Sequence, residues 1–246
     1  MSKLDLSIVI VTYNSSKYIE SCLNSIYEKT LKTRYEIIII DNNSKDNTVD
    51  IINEKYKDII LIKNNNNLGF AKAINKGSKI AKGEYLLFLN PDTILLNNTI
   101  DIFKEKALQY PQIALFGGYL LGEQDQMVYS CGFLPSKLDI LKLYLFNGKG
   151  IKPRKININK EQQVEIISGA DFYIKKEVFE KLNGFDEDYF LYHEEVDFCR
   201  KLKKNKYKAL FVPSAKMRHF EMKSENLKIK TLFYKRIGAL LYCLKK

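Results

Sequence analysis

The first ninety residues repeat one pattern: an apolar β-rich run, then a stretch with apolar residues at helical spacing. Leu6 to Thr12 is the first run, and residues 16–29 then place Ile19, Cys22, Leu23 and Ile26 on one helical face. Tyr35 to Ile40 is almost wholly apolar, as a strand must be when helices cover both its faces. Ser44 is placed to cap a helix over Lys45 to Tyr56. Ile59 to Lys63 is a third strand. Phe70, Ala73, Ile74, Gly77, Ile80 and Ala81 then recur at helical spacing up to Gly83. A β-α-β-α-β-α-β order predicts an α/β fold, a mostly parallel central sheet flanked by helices.

The fourth strand, Tyr85 to Leu89, runs into Asn90-Pro91-Asp92. Pro91 cannot donate to a ladder, so the strand stops there. Asp92 falls just past the strand's carboxyl end, the edge at which open α/β sheets bind ligands. A hard carboxylate there suits a divalent cation shared with phosphates. All four strands lead into polar residues: Thr12-Tyr13-Asn14, Asp41-Asn42-Asn43, the run Asn64 to Asn67, and Asp92. Asp41 can accept the N3–H of a pyrimidine with Tyr13 against the ring, or it can brace its own turn.

After residue 110 the pattern loosens. Ile113–Leu121 and Met127–Phe133 read as strands, 136–163 as a basic surface excursion, and Val164–Lys175 as strand-like around Gly169. Helices are expected near 175–183 and 193–205, with a short strand at Ala209–Val212. Tyr192 to Asp197 holds three carboxylates, Glu194, Glu195 and Asp197, at a helix start. They complement the helix dipole, and crowding also raises their pKa values toward those of a general base. Near the C-terminus Ile229, Leu232, Phe233, Ile237, Leu240 and Leu241 line one helical face, flanked by Lys228, Lys230, Lys235, Arg236, Lys245 and Lys246. Such a helix either lies on an anionic membrane surface or docks on the protein's own core.

The formal charge of +11 calls for an anionic partner: a nucleotide, a nucleic acid or a membrane surface. The four cysteines, Cys22, Cys131, Cys199 and Cys243, show neither metal-knuckle nor CxxC spacing, which fits a reducing cytoplasm. Residues 1–5 hold no apolar core of a signal peptide. No stretch approaches the roughly 18 apolar residues of a membrane-spanning helix, so neither is expected. The absence of GxGxxG, GxxxxGK[ST] and GxSxG removes the usual support for a dinucleotide oxidoreductase, a P-loop enzyme and an α/β-hydrolase.

Together these residues resemble the inverting glycosyltransferases of family 2, which have the GT-A fold. The resemblance runs from Ser7-Ile8-Val9-Ile10-Val11-Thr12-Tyr13-Asn14 through Asp41-Asn42-Asn43-Ser44, Asn67-Leu68-Gly69-Phe70 and Asn90-Pro91-Asp92. It continues with Gly169-Ala170-Asp171, and with Gly184-Phe185-Asp186 and Phe190 to Cys199, and reaches His219. The branch it looks most like contains rhamnosyltransferases that build bacterial surface polysaccharides.

The resemblance implies a UDP- or dTDP-sugar donor, dTDP-rhamnose being one candidate, and a glycan or polyprenyl-linked acceptor. It implies that Thr12, Tyr13, Asn14, Asp41 and Asn43 hold the nucleoside, with Asn67, Gly69, Ala73, Asn90 and Asp92 nearer the ribose and diphosphate. Asp92 and His219 would bind a divalent metal, Mg2+ or Mn2+. Gly169, Ala170 and Asp171 would face the acceptor. Glu195 would be the base, with Glu194 and Asp197 as alternatives. Asn90 stands where many members have a first metal-binding Asp, and Glu195 is one methylene longer than the usual Asp. The expected division is a donor half over 1–110, an acceptor and catalytic half over 111–222, and a basic helix over 223–246. The protein would be cytoplasmic, with peripheral membrane contact. The rival readings are a catalytically silent nucleotide-sugar binder and a nucleic-acid-binding protein. The second lacks any recognisable nucleic-acid module, so no nucleic-acid partner is expected.

Overall fold

The computed structural model describes residues 4–136, 138–139, 142, 155–220 and 228–245. Residues 143–154, inside the expected surface excursion, lie outside these. The first elements are β1 (Leu6–Thr12), α1 (Ile19–Lys29), β2 (Tyr35–Asp41), α2 (Thr48–Lys55), β3 (Ile60–Lys63), α3 (Phe70–Ile80) and β4 (Tyr85–Leu89). Next come β5 (Thr93–Leu95), α4 (Thr99–Gln109), β6 (Ile113–Leu121), β7 (Cys131–Gly132), β8 (Gln162–Val164) and β9 (Ile166–Ile167). The chain continues with β10 (Asp171–Lys175), α5 (Lys176–Lys181), α6 (Glu194–Lys204), β11 (Lys208–His219) and α7 (Lys228–Leu244).

Among the described residues one sheet runs β3-β2-β1-β4-β10-β6-β11-β5, with β8 also paired to β11. β1, β2, β3 and β4 are parallel, so their carboxyl ends share one edge. β10 inserts antiparallel between β4 and β6, which makes the two halves of the chain share a sheet. Alternation along the strands feeds two cores. Val9, Ile38, Ile40 and Phe88 face one side, and Ile8, Ile10, Ile37 and Ile39 face the other. Fully burying each such side chain contributes roughly 1.5–3 kcal/mol.

Several expected boundaries move, each for a local reason. The second helix begins at Thr48 instead of Lys45, because Ser44 turns back to bond Asp41 while Asp46 takes the N–H and hydroxyl of Thr48. The strand expected to end at Val212 continues to His219, with a register shift between Phe211 and Lys216 that accommodates Pro213. Of Met127–Phe133 only Cys131–Gly132 forms a strand. Helix α4 was not expected, although Ile100, Phe103 and Ala107 carry helical spacing in the sequence and are buried.

The C-terminal helix docks on the protein. Side chains are described from residue 234 on, so Ile229, Leu232 and Phe233 of its expected apolar face lie outside the description. Gly238, Ala239 and Tyr242 are buried, while Ile237, Leu240 and Leu244 remain exposed. No helix among the described residues is long and apolar enough to cross a membrane.

Candidate active site

Three clusters meet at the shared strand edge. The first joins β1 to β2. Asp41 is buried, and its carboxylate accepts from Thr12 Oγ1 at 2.9 Å and from the Ser44 N–H at 2.9 Å. Asn14 and Asn43 sit in left-handed backbone at φ 53 and 66°. The Asn14 N–H donates to Ser44 Oγ, Asn14 Oδ1 accepts from the Lys45 N–H, and Asn43 Nδ2 donates to Asn65 O. These side chains stitch the two loops into one rigid rim, from which Tyr13 projects exposed.

The second cluster fixes the loop before α3. Its main tie is Asn42, a residue no motif role singled out. Buried Asn42 donates to Gly69 O at 3.1 Å and accepts from Asn64 Nδ2 at 2.9 Å. Asn67 Oδ1 accepts from the Gly69 N–H at 2.9 Å. Gly69 has φ 81°, and a Cβ there would stand 2.4 Å from Phe190 O, so only glycine fits. The Phe70 N–H donates to that same carbonyl at 2.8 Å. Ala73, one turn further, is fully buried in the core, because α3 turns that position toward the sheet and away from the open edge.

The third cluster holds Asn90, Asp92 and His219. β11 pairs with β5 so that His219 lies opposite Thr93. His219 Nε2 is then 3.3 Å from Asp92 Oδ1 and 3.1 Å from Asn90 Nδ2. One ring nitrogen can accept from the amide or donate to the carboxylate, not both at once. Among the described residues no third His, Cys, Asp or Glu completes a metal cluster here. The Asp92–His219 separation matches two cis ligands on one ion, which stand about 3 Å apart at ordinary bond lengths. A carboxylate and an imidazole therefore fit a divalent metal, which would draw its remaining ligands from phosphate oxygens or water.

The acidic helix start is carried to this edge by aromatic packing. Phe198 of α6 lies 5.9 Å from Phe172 and 5.5 Å from Phe185, and Phe185 lies 5.4 Å from Phe88 of β4. Such ring pairs each add about 0.5–1.5 kcal/mol beyond area burial. Asn75 of α3 bonds both the N–H and the carbonyl of Phe185, at 3.0 and 2.8 Å. Glu194 is buried and Glu195 half-buried, and each keeps an Oε2 with no hydrogen-bond partner. Burial pushes the Glu194 carboxyl well above the ordinary range, and the neighbouring Glu195 adds to the rise. Burial also raises Glu195, opposed by backbone N–H groups of the helix start.

Asp197 is differently placed. Arg200 bonds its Oδ1, and Lys201 stands 3.5 Å from its Oδ2. Asp171 is fully buried instead of facing the open edge, since β10 points it at β6, where it accepts from the Gly118 N–H at 2.5 Å. Burial raises its carboxyl well above the usual range against that bond. Its neighbours in the motif lie against the other clusters. The Asn90 N–H donates to Ala170 O at 3.4 Å. A Cβ at Gly169 would lie 4.0 Å from Glu195 Cβ. This short segment therefore bridges the Asp92 cluster and the acidic pair.

Residues 7–197 match the family described as Glycosyl transferase family 2. The chain is similar to the N-acetylglucosaminyl-diphospho-decaprenol L-rhamnosyltransferase of Mycobacterium tuberculosis, 26% identical over 238 residues covering 89% of this chain and 77% of that protein. Among solved structures it resembles S. aureus TarS 1-349 in complex with UDP, with TM-score 0.66, 20% identity, and coverage of 96% of this chain and 65% of that one. It also resembles GalNAc-T7 with UDP, GalNAc and Mn2+, with TM-score 0.67, 18% identity, and coverage of 89% and 44%. The chain thus spans under half of that last protein and just under two thirds of the TarS chain. At these identities the structural likeness establishes a shared GT-A fold.

Proposed function

The chain belongs to glycosyltransferase family 2, and on that premise we propose that it moves a sugar from a UDP- or dTDP-sugar donor to an acceptor hydroxyl, inverting the anomeric centre. dTDP-rhamnose is the donor we favour, and a glycan or polyprenyl-linked sugar the acceptor, in the synthesis of a bacterial surface polysaccharide. The similarity to a rhamnosyltransferase acting on a decaprenol-linked sugar supports both choices. The observation that carries the reading is the bridge of Gly169 and Ala170, which sets the Asp92 cluster beside Glu195 on one sheet edge.

Tyr13 supplies an exposed ring for the nucleobase, on the rim braced by Asp41, Thr12 and Ser44. Asp92 and His219 are the residues that would hold a divalent metal. When bound, such an ion neutralises charge developing on a departing diphosphate. Glu195 takes the proton from the acceptor hydroxyl. That oxygen bonds to the anomeric carbon as the bond to the diphosphate breaks on the opposite face. Its raised carboxyl is better matched to a hydroxyl than an ordinary glutamate. Glu194, less exposed, is the alternative base. The ion pairs on Asp197 favour a structural role for it. Holding both substrates on one edge makes the reaction effectively unimolecular.

Exposed Ile237, Leu240 and Leu244 with Arg236 support a peripheral contact with an anionic membrane, where a lipid-linked acceptor would lie. A thermal-shift panel of nucleotide sugars with Mn2+ or Mg2+ tests the donor. Stabilisation by one UDP- or dTDP-sugar is expected, since a ligand that binds the native state raises apparent stability. Equal, small shifts with every sugar nucleotide would sink the assignment.

A further inference from the structure

Tyr192 and His193 immediately precede the acidic pair, and both adopt left-handed backbone, at φ 70 and 74°. A bulky tyrosine rarely adopts that region, and two non-glycine residues there in succession persist only when their surroundings hold them. The hold comes from the C-terminal helix. A Cβ on Gly238 would stand 2.8 Å from Tyr192 O and 2.8 Å from His193 Cδ2, so the helix backbone lies directly on the turn. One turn earlier, Tyr234 stacks on Phe190 with centroids 4.6 Å apart, and Lys235 Nζ sits 4.9 Å over the Tyr192 ring. At the far end Arg200, itself paired with Asp197, donates to Tyr242 O and Lys245 O. Lys245 in turn bonds Asp186 and Asp188.

We propose that the C-terminal helix is a positioning element of the transfer reaction, and that Gly238 sets the turn from which Glu194 and Glu195 enter the site. This rests on the reading that the acidic pair supplies the base. The same contacts reach the donor side, because Phe190, stacked under Tyr234, offers its carbonyl to Phe70 beside Gly69. The helix thus seats the loop that links the acidic pair to the Gly69 turn. A methyl at position 238 stands too close to a backbone carbonyl and to the His193 ring, so helix and turn must move apart and the seat under the two glutamates changes.

The chain has only two histidines, so their ring C–H signals in a carbon-edited NMR spectrum are assignable with one His219→Gln variant. Gly238→Ala in the full chain is expected to move the His193 signal and leave His219 in place. With dTDP-rhamnose or UDP-N-acetylglucosamine, followed by transfer or slow donor hydrolysis, kcat should fall at least tenfold, with a smaller rise in donor KM. Tyr234→Leu, which adds no atoms at the crowded point, should shift the same signal and lower kcat less. It serves in place of Gly238→Ala if circular dichroism shows that variant unfolded. An unmoved His193 signal overturns the proposal, and so does a moved signal with unchanged kcat. Full activity in Glu195→Gln and in Glu194→Gln would instead remove the underlying reading, while the NMR result would still report the seat.

Discussion

His219 Nε2 stands 3.3 Å from Asp92 Oδ1, and the pairing of β11 with β5 is what brings them together. Two potential metal ligands at this separation predict that metal and nucleotide bind as a unit. Adding Mn2+ to protein saturated with UDP should raise the melting temperature of the wild type. Asp92→Ala should lose that increment, and His219→Ala should lose most of it, while both retain the metal-independent shift from nucleotide. An undiminished Mn2+ increment in Asp92→Ala would remove the metal assignment.

Glu195→Gln keeps the shape of the side chain and removes its basicity. Donor binding should persist, and kcat should fall about 10²- to 10⁴-fold, the usual share of a general base. The base works ionised, so kcat in the wild type falls as pH drops. Burial raises the Glu195 carboxyl, so that fall should come at higher pH than for an ordinary glutamate. A pH profile of kcat that stays flat down to the normal glutamate range would contradict this assignment.

Asn42→Ala removes the tie that holds the loop before α3. Gly69 O and the Asn64 amide would lose their buried partner. A cost of about 1–3 kcal/mol is expected for such orphaned groups, read as a lower urea midpoint at unchanged slope. Nucleotide affinity should fall as well, because the same loop borders the donor side. Wild-type stability with intact affinity would show that the loop holds itself.

The first ninety residues were legible because their signals are local. Ile-rich runs, helical spacing and strand-ending polar residues sit within short stretches, and the parallel order follows from them. The acidic pair and Asp92 were also readable as motifs. Long-range geometry was not. Nothing near Asp171 in the sequence says that β10 inserts between β4 and β6 and points its carboxyl inward. Nothing near Asn42 marks it as the partner of Gly69 and Asn64. The docking of Gly238 on Tyr192 and His193 depends on contacts between distant segments. Helix α4 is a different case, since its spacing of Ile100, Phe103 and Ala107 was present to be read.

Asp171 gives a prediction whose sign follows from burial alone. Its carboxyl is enclosed, accepts one N–H from Gly118, and has an Oδ1 without a hydrogen-bond partner. Burial raises its folded pKa well above the unfolded value, so the folded state binds the extra proton. Its contribution is fully present below the ordinary aspartate pKa, roughly 4, and is lost as pH rises through the raised folded value. Asn is nearly isosteric with the protonated acid and can still accept the Gly118 N–H. Asp171→Asn should therefore match the wild type in urea unfolding near pH 4 and become progressively more stable than it toward pH 8. A variant that is less stable at pH 8 than at pH 4, relative to wild type, would mean that Asp171 is held ionised in the folded state.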